Sequence, residues 1–385
     1  MWPDIKSFMS KWRDNEFGTT IAGRMMNGVN AVDLNKLRIA YAPYHKELSV
    51  PGDRRRFVFY AKERNINFEL ADPSKIYDII YLTYGCNLGL WIKYKKNNPN
   101  VKIVFELIDT YFQEKKSIRE LFRGIAWYLI RRDDVLWFSY KSALREIITI
   151  CDAVVCSTIA QKFEMLQFNK NIHISLDYFS EDITHHKKSF VIKNKLKIVW
   201  EGQAYTVENL LLLNEVFEEL KNDIELYIIT DLIIKSPIKC CDKKTEDVLR
   251  KLKCKFNLIR WDKNSFSKII SNADLAIIPL KSDNSMMWNK PENKLLLLWE
   301  IGVPTFTSDT PAYKRVMSSA GIDFCCSSSN EWLQKIQEYR KSSIHYKINN
   351  FQKAKSYLKR YHSKDDILQK WDQIFESLKF KIEQE

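Results

Sequence analysis

No apolar stretch in this 385-residue chain approaches the ~20 residues that a membrane-spanning helix requires. Its first residues, MWPDIKSFMSKWRDNEF, carry charges where a signal peptide needs an apolar run. The eight cysteines (Cys86, Cys151, Cys156, Cys240, Cys241, Cys254, Cys325 and Cys326) form no C-x-x-C pair and share no metal-type spacing with the six histidines. Several lie inside apolar runs, which predicts reduced core thiols in a cytosolic protein. No compact basic and aromatic module of the kind that grips nucleic acid stands out, and no short-period repeat is present. These gaps speak against a membrane-spanning helix, a disulfide scaffold, a zinc module and a repeat array. A globular protein, cytoplasmic and soluble or peripheral, is expected.

Charge is abundant instead. There are 61 Lys and Arg against 48 Asp and Glu, a formal net charge of +13, dense in 187–197, 235–255 and 335–370. Such a surface favours polyanions or an anionic membrane face, and without a nucleic-acid module the second is the better expectation. The length exceeds one typical core, so two domains are expected.

Short apolar runs alternate with helical stretches. The first set is 37–42 (LRIAYA), 67–70, 77–83 (YDIIYLT), 102–108 (KIVFELI), 153–157 (AVVCS) and 171–176, with helices expected at 117–130, 136–150 and 159–168. That order predicts a parallel sheet with right-handed crossovers. Residues 180–195 (SEDITHHKKSFVIKNK) are polar and charged without periodicity and make the best linker. The adjacent His185 and His186 within it read as solvent-exposed. The pattern restarts at 196–201 (LKIVWE), with a helix over 206–220, strands at 225–230 and 256–261, and helices filling most of 330–379. The expected fold class is α/β, two doubly wound halves facing across a cleft, a favoured place for a ligand.

The most informative stretch is 273–304, ADLAIIPLKSDNSMMWNKPENKLLLLWEIGVP. It reads as a buried strand, a polar loop over 281–290, and an apolar helix stopped by Gly302-Val303-Pro304, with Pro291 suited to the first helical position. The loop lies at the carboxyl end of a parallel strand, where ligands bind in open α/β sheets. Lys294, one turn into the helix, joins free backbone N–H groups and a positive dipole end, and a phosphate would fit there. An ordinary polar βα loop is the alternative.

The runs CDAVVCS (151–157), KIVWEG (197–202) and ADLAIIPL followed by KLLLLWEIGVP resemble the GT-B glycosyltransferases. The nearest group is the large retaining family that uses nucleotide-sugar donors in bacterial surface-polysaccharide synthesis. The resemblance implies two Rossmann-like domains: 1–185 for the acceptor, 186–350 for the nucleotide-sugar, and 351–385 as helices packing back toward the first domain. It implies transfer of a sugar from a nucleoside-diphosphate donor to a growing glycan or lipid-linked saccharide, with no nucleic acid as partner; the basic, aromatic-rich surface suits an acceptor presented at the anionic inner membrane.

The family's Glu-x7-Glu motif is present literally at Glu292 and Glu300. Counting five residues back from the Gly302 turn instead places its second carboxylate on Leu297 and its first on Asn289. Glu300 also lies roughly 13 Å along the helix from Pro291, so it reads as structural. The resemblance thus implies donor contacts from Gly202, Gln203, Arg260, Asn289, Glu292, Asn293 and Lys294, with Lys294 on the diphosphate. Acceptor-side residues would be Gly52, Asp53 and Arg54, and the catalytic carboxylates Asp109 and Glu292. No D-x-D occurs, the motif that holds a metal in the other main glycosyltransferase fold, so no metal or cofactor is expected. The alternatives are a nucleotide-sugar epimerase of the same fold and a non-catalytic sugar-binding or scaffolding relative.

Overall fold

Central strands of a parallel sheet are buried on both faces and must be apolar throughout, and the chain supplies two such sets. In the computed structural model, which describes residues 33–109, 140–179, 182–236, 241–281 and 285–378, each set forms one sheet. The first contains β1 (Ile39–Ala42), β2 (Glu69–Leu70), β3 (Ile79–Thr83), β4 (Lys102–Leu107), β5 (Ala153–Cys156) and β6 (Ile172–Ile174). Its order is β2-β1-β3-β4-β5-β6, parallel throughout. Every residue of β1, β3 and β5 is buried.

The second lobe repeats the plan. It contains β7 (Leu196–Glu201), β8 (Ile224–Thr230), a small hairpin of β9 (Ile233–Ile234) and β10 (Lys243–Lys244), then β11 (Phe256–Arg260), β12 (Leu275–Ile278), β13 (Thr305–Ser308) and β14 (Cys325–Cys326). The six-stranded order is β11-β8-β7-β12-β13-β14, all parallel. The strand order reverses between β7 and β12 here, and between β1 and β3 in the first lobe. Crevices at such reversal points are where open α/β sheets hold ligands.

Several local expectations change. The hairpin β9–β10 was not anticipated. The helix expected over 206–220 is a 3-10 stretch, Ala204–Leu213, followed by an α-helix, Asn214–Leu220. The apolar helix begins at Asn293 with Glu292 as its N-cap, so Pro291 precedes the helix rather than opening it; a turn of helix, Ser285–Trp288, occupies the loop before it. Gly302 ends that helix at φ 96°, a conformation in which a Cβ is strained. The expected 117–130 helix lies outside the described residues, and 136–150 is described as Tyr140–Ile150.

The polar segment expected as a linker is mostly exposed but anchored at a few of its described residues. Phe179 and Ile183 join the core of the second lobe. Lys187 is buried, its ammonium donating to the Ala273 carbonyl at 2.5 Å and its amide to Ile301 O at 2.8 Å.

The last described helix, Lys364–Glu376, crosses to the first lobe. Trp371 stacks on Tyr60 with ring centroids 5.5 Å apart, and Phe375 does so at 5.3 Å. Asp372 accepts from the Tyr60 hydroxyl at 3.1 Å and pairs with Arg64. Among the described residues no helix is long and apolar enough to cross a membrane.

Candidate functional site

At the second lobe's reversal point, β7 ends in Trp200-Glu201-Gly202 directly beneath the start of the Asn293–Ile301 helix. The Lys294 ammonium donates to the Glu201 carbonyl, lies 3.8 Å from the Glu201 carboxylate and sits 5.2 Å from the centre of the Trp200 ring. A Cβ at Gly202 would fall 2.5 Å from the Lys294 nitrogen and 2.8 Å from Trp200, so only glycine lets strand end and lysine approach this closely. Burial pushes the Lys294 pKa down; Glu201 opposes this and the nearby Lys290 adds to it. Lys290 itself reaches the Tyr205 hydroxyl at 3.5 Å, and Tyr205 is exposed. Two ammoniums, a close backbone turn and the start of a helix, whose first N–H groups have no intrahelical partner, therefore lie together at the reversal point. The ammoniums' like charges lie close together, and an anion bound between them would relieve that repulsion.

The other expected donor contacts are spread out. Gln203 is exposed just after Gly202, and Asn289 is half-buried before the helix. Arg260 is exposed at the end of β11, the edge strand two places from β7. Glu292 is 4% exposed and salt-linked to Arg315, so its carboxylate is turned into the lobe beside the Tyr313 and Tyr357 rings. Glu300, expected to be structural, lies 3.7 Å from Lys355. Leu297, at the position the count assigns to the ribose carboxylate, is buried. His185 and His186 are exposed, as expected.

In the first lobe Asp53 is wholly buried and organises the loop after β1. Its carboxylate accepts from the Tyr41 hydroxyl (2.6 Å) and the amides of Tyr44 (2.9 Å) and His45 (3.0 Å). Gly52 packs against the Tyr44 ring, where a Cβ would come within 2.8 Å. Arg54 pairs with Asp182, as does Arg55, across to the segment leading into the second lobe. Asp109 is half-exposed just beyond β4, at the carboxyl end of the sheet.

Sequence reasoning passed over a buried ionic cluster beneath this loop. Glu106 on β4, fully buried, accepts from Arg56 Nε at 2.5 Å, the Tyr81 hydroxyl at 2.8 Å and the Tyr44 hydroxyl at 3.1 Å. Arg56, also fully buried, donates from a second nitrogen to Asp177 at 3.1 Å. Burial raises the Glu106 pKa and Arg56 opposes it; the Tyr44 and Tyr81 hydroxyls are pushed well up, first by burial and then by Glu106. The one available signal was a glutamate inside the apolar run KIVFELI, which a buried strand tolerates only with a partner.

No protein-family model matches the sequence, and no curated protein matches it. Solved structures do match in fold. HepE of Anabaena in complex with UDP aligns with a TM-score of 0.59 at 11% identity, over 89% of this chain and 99% of that one. WaaG, a glycosyltransferase involved in lipopolysaccharide biosynthesis, gives 0.54 at 13%, over 89% and 100%. TarM gives 0.53 at 13% identity, over 77% of this chain, which spans about half (54%) of the TarM chain. The fold is GT-B: two α/β lobes, each built on a six-stranded parallel sheet.

Proposed function

We propose, from a GT-B fold with a two-lysine anion cradle at the reversal point of its second sheet, that this chain is a glycosyltransferase. It would take a sugar from a nucleoside diphosphate and place it on a glycan or lipid-linked saccharide. The observation that carries the reading is the Gly202–Lys294 contact at the start of the Asn293 helix. There the diphosphate would replace Glu201 as partner of Lys294 and draw in Lys290. The same groups would then hold the leaving diphosphate as its charge develops; preorganised donors of this kind are usually the largest catalytic term. UDP bound in HepE, which shares the fold, supports a uridine donor.

The first lobe would present the acceptor, with Asp109 orienting its hydroxyl, in a metal-independent and retaining transfer. The surplus of basic residues supports docking of the enzyme on an anionic membrane that carries a lipid-linked acceptor. Flotation without liposome association would overturn that part alone. A sugar-binding relative without turnover is the second reading, favoured by Leu297 at the ribose-carboxylate position and by the capture of Glu292 by Arg315.

A thermal-shift panel of nucleotides and nucleotide-sugars tests the reading. A ligand at a hundred times its Kd stabilises the fold by about 2.7 kcal/mol, and UDP should produce such a shift. If no nucleoside diphosphate raises the melting temperature, the assignment is wrong. Tight donor binding without release of nucleoside diphosphate would leave the second reading.

A further inference from the structure

We propose that Arg56 is a positioning residue that couples the loop after β1 in the first lobe to the start of the Asn293 helix in the second. The inference rests on the donor site proposed above. A continuous set of hydrogen bonds joins the two loops. The Tyr44 hydroxyl bonds Glu106 at 3.1 Å, Glu106 bonds Arg56 at 2.5 Å, and Arg56 bonds the Asp177 carboxylate at 3.1 Å. The Asp177 amide then donates to the Asn293 side-chain oxygen at 3.2 Å. Asn293 is the first residue of the helix and the neighbour of Lys294, so the chain runs from the first lobe's loop to the diphosphate cradle.

Three features set this path apart from general packing. Its central pair is fully buried, so a break exposes a charge to a low-dielectric interior and the path responds as a unit. Each end can be cut at one hydrogen bond while Arg56 stays in place: the Tyr44 hydroxyl on Glu106 at one end and the Asp177 amide on Asn293 at the other, Tyr44 and Asn293 both being half-exposed. The lobes are also held by other contacts, Arg54 and Arg55 on Asp182 and the helix carrying Trp371 on Tyr60. Overall docking therefore does not depend on the Arg56 path, whereas the register between the Tyr44 loop and the Asn293 helix does. Arg56 is matched to this task because its fork bonds Glu106 and Asp177 at once; a lysine offers one nitrogen in one place.

The test is a double-mutant cycle with UDP as probe, read by titration calorimetry. Tyr44→Phe, on the first lobe, should weaken UDP about three- to tenfold, the size of one hydrogen bond. Asn293→Ala should do the same, and the double variant should fall within twofold of the weaker single variant, because both break one path. Effects that multiply, or a Tyr44→Phe affinity equal to wild type, would overturn the coupling. Hydrogen exchange on the ligand-free protein gives an independent arm. Asn293→Ala should speed exchange of the Tyr44 and His45 amides at least threefold, and unchanged rates there would also overturn it. If the wild type does not bind UDP, the donor-site reading fails, while the exchange result still decides the coupling.

Discussion

Replacing Lys294 by alanine removes one ammonium from the start of the Asn293 helix and little else. In the ligand-free protein the Lys294 side chain is 27% exposed, and its ammonium rests on one carbonyl, one carboxylate at 3.8 Å and an indole face. Burial works against its charge, so its removal should alter ligand-free stability by less than about 1 kcal/mol. The cost should appear when a diphosphate binds. A hydrogen bond to a charged group contributes about 1.5–3 kcal/mol, and the direct Coulomb attraction at 4 Å is about 4 kcal/mol at an effective dielectric of 20. Glu201 loses its partner as the phosphate arrives, which offsets part of this. The net expectation is a loss of about 10- to 100-fold in UDP affinity. Calorimetric titration of wild type and Lys294→Ala with UDP at two salt concentrations measures it, and the variant should depend less on salt. Uridine, which lacks phosphates, should bind both proteins alike. A UDP dissociation constant within threefold of wild type, or an equal loss for uridine, would refute the placement of the diphosphate at Lys294.

Gly202→Ala should cost about 1–3 kcal/mol in urea unfolding, because Lys294 can swing from the new methyl but the Trp200 ring, 2% exposed, cannot; wild-type stability would contradict the contact. Trp371→Ala should cost about 3–5 kcal/mol by opening a cavity against Tyr60 and Phe57, and a calorimetric loss under ~1 kcal/mol would show the seam to be loose. His362 is pushed down to about 3 by burial, with Lys370 adding to the effect. It binds its proton more weakly folded than unfolded, so its stabilisation is whole above pH 6.5 and lost as pH falls toward the folded value. His362→Phe should flatten the stability profile by up to about 1.4 kcal/mol per pH unit between pH 6.5 and 4. Parallel urea midpoints for the two proteins across that range would refute the assignment.

The lobes were legible because parallel central strands are written as mostly apolar runs rich in β-branched residues, LKIVWE and KIVFELI among them. The hairpin β9–β10 was not, since two isoleucines facing two lysines carry no alternation to detect. Gly202 and Lys294 could be placed together by topology: a strand end and the helix after a neighbouring strand meet at a reversal point. Glu292 had the right residue type and position along the chain, but its partner is an arginine on the next helix, and local spacing says nothing of that. The Arg56–Glu106 pair joins residues 50 positions apart, and Asp177 is farther still. Only the three-dimensional fold brings them together.

The aromatic face formed by Phe57, Tyr60 and Tyr81 is closed by a helix some 312 residues further along the chain. During synthesis this face would emerge early and stay open until almost everything else has been made. Contacts so distant in sequence form slowly, so this part of the first lobe's core is completed late. Its greatest exposure to aggregation or chaperone capture falls in the interval before Trp371 arrives.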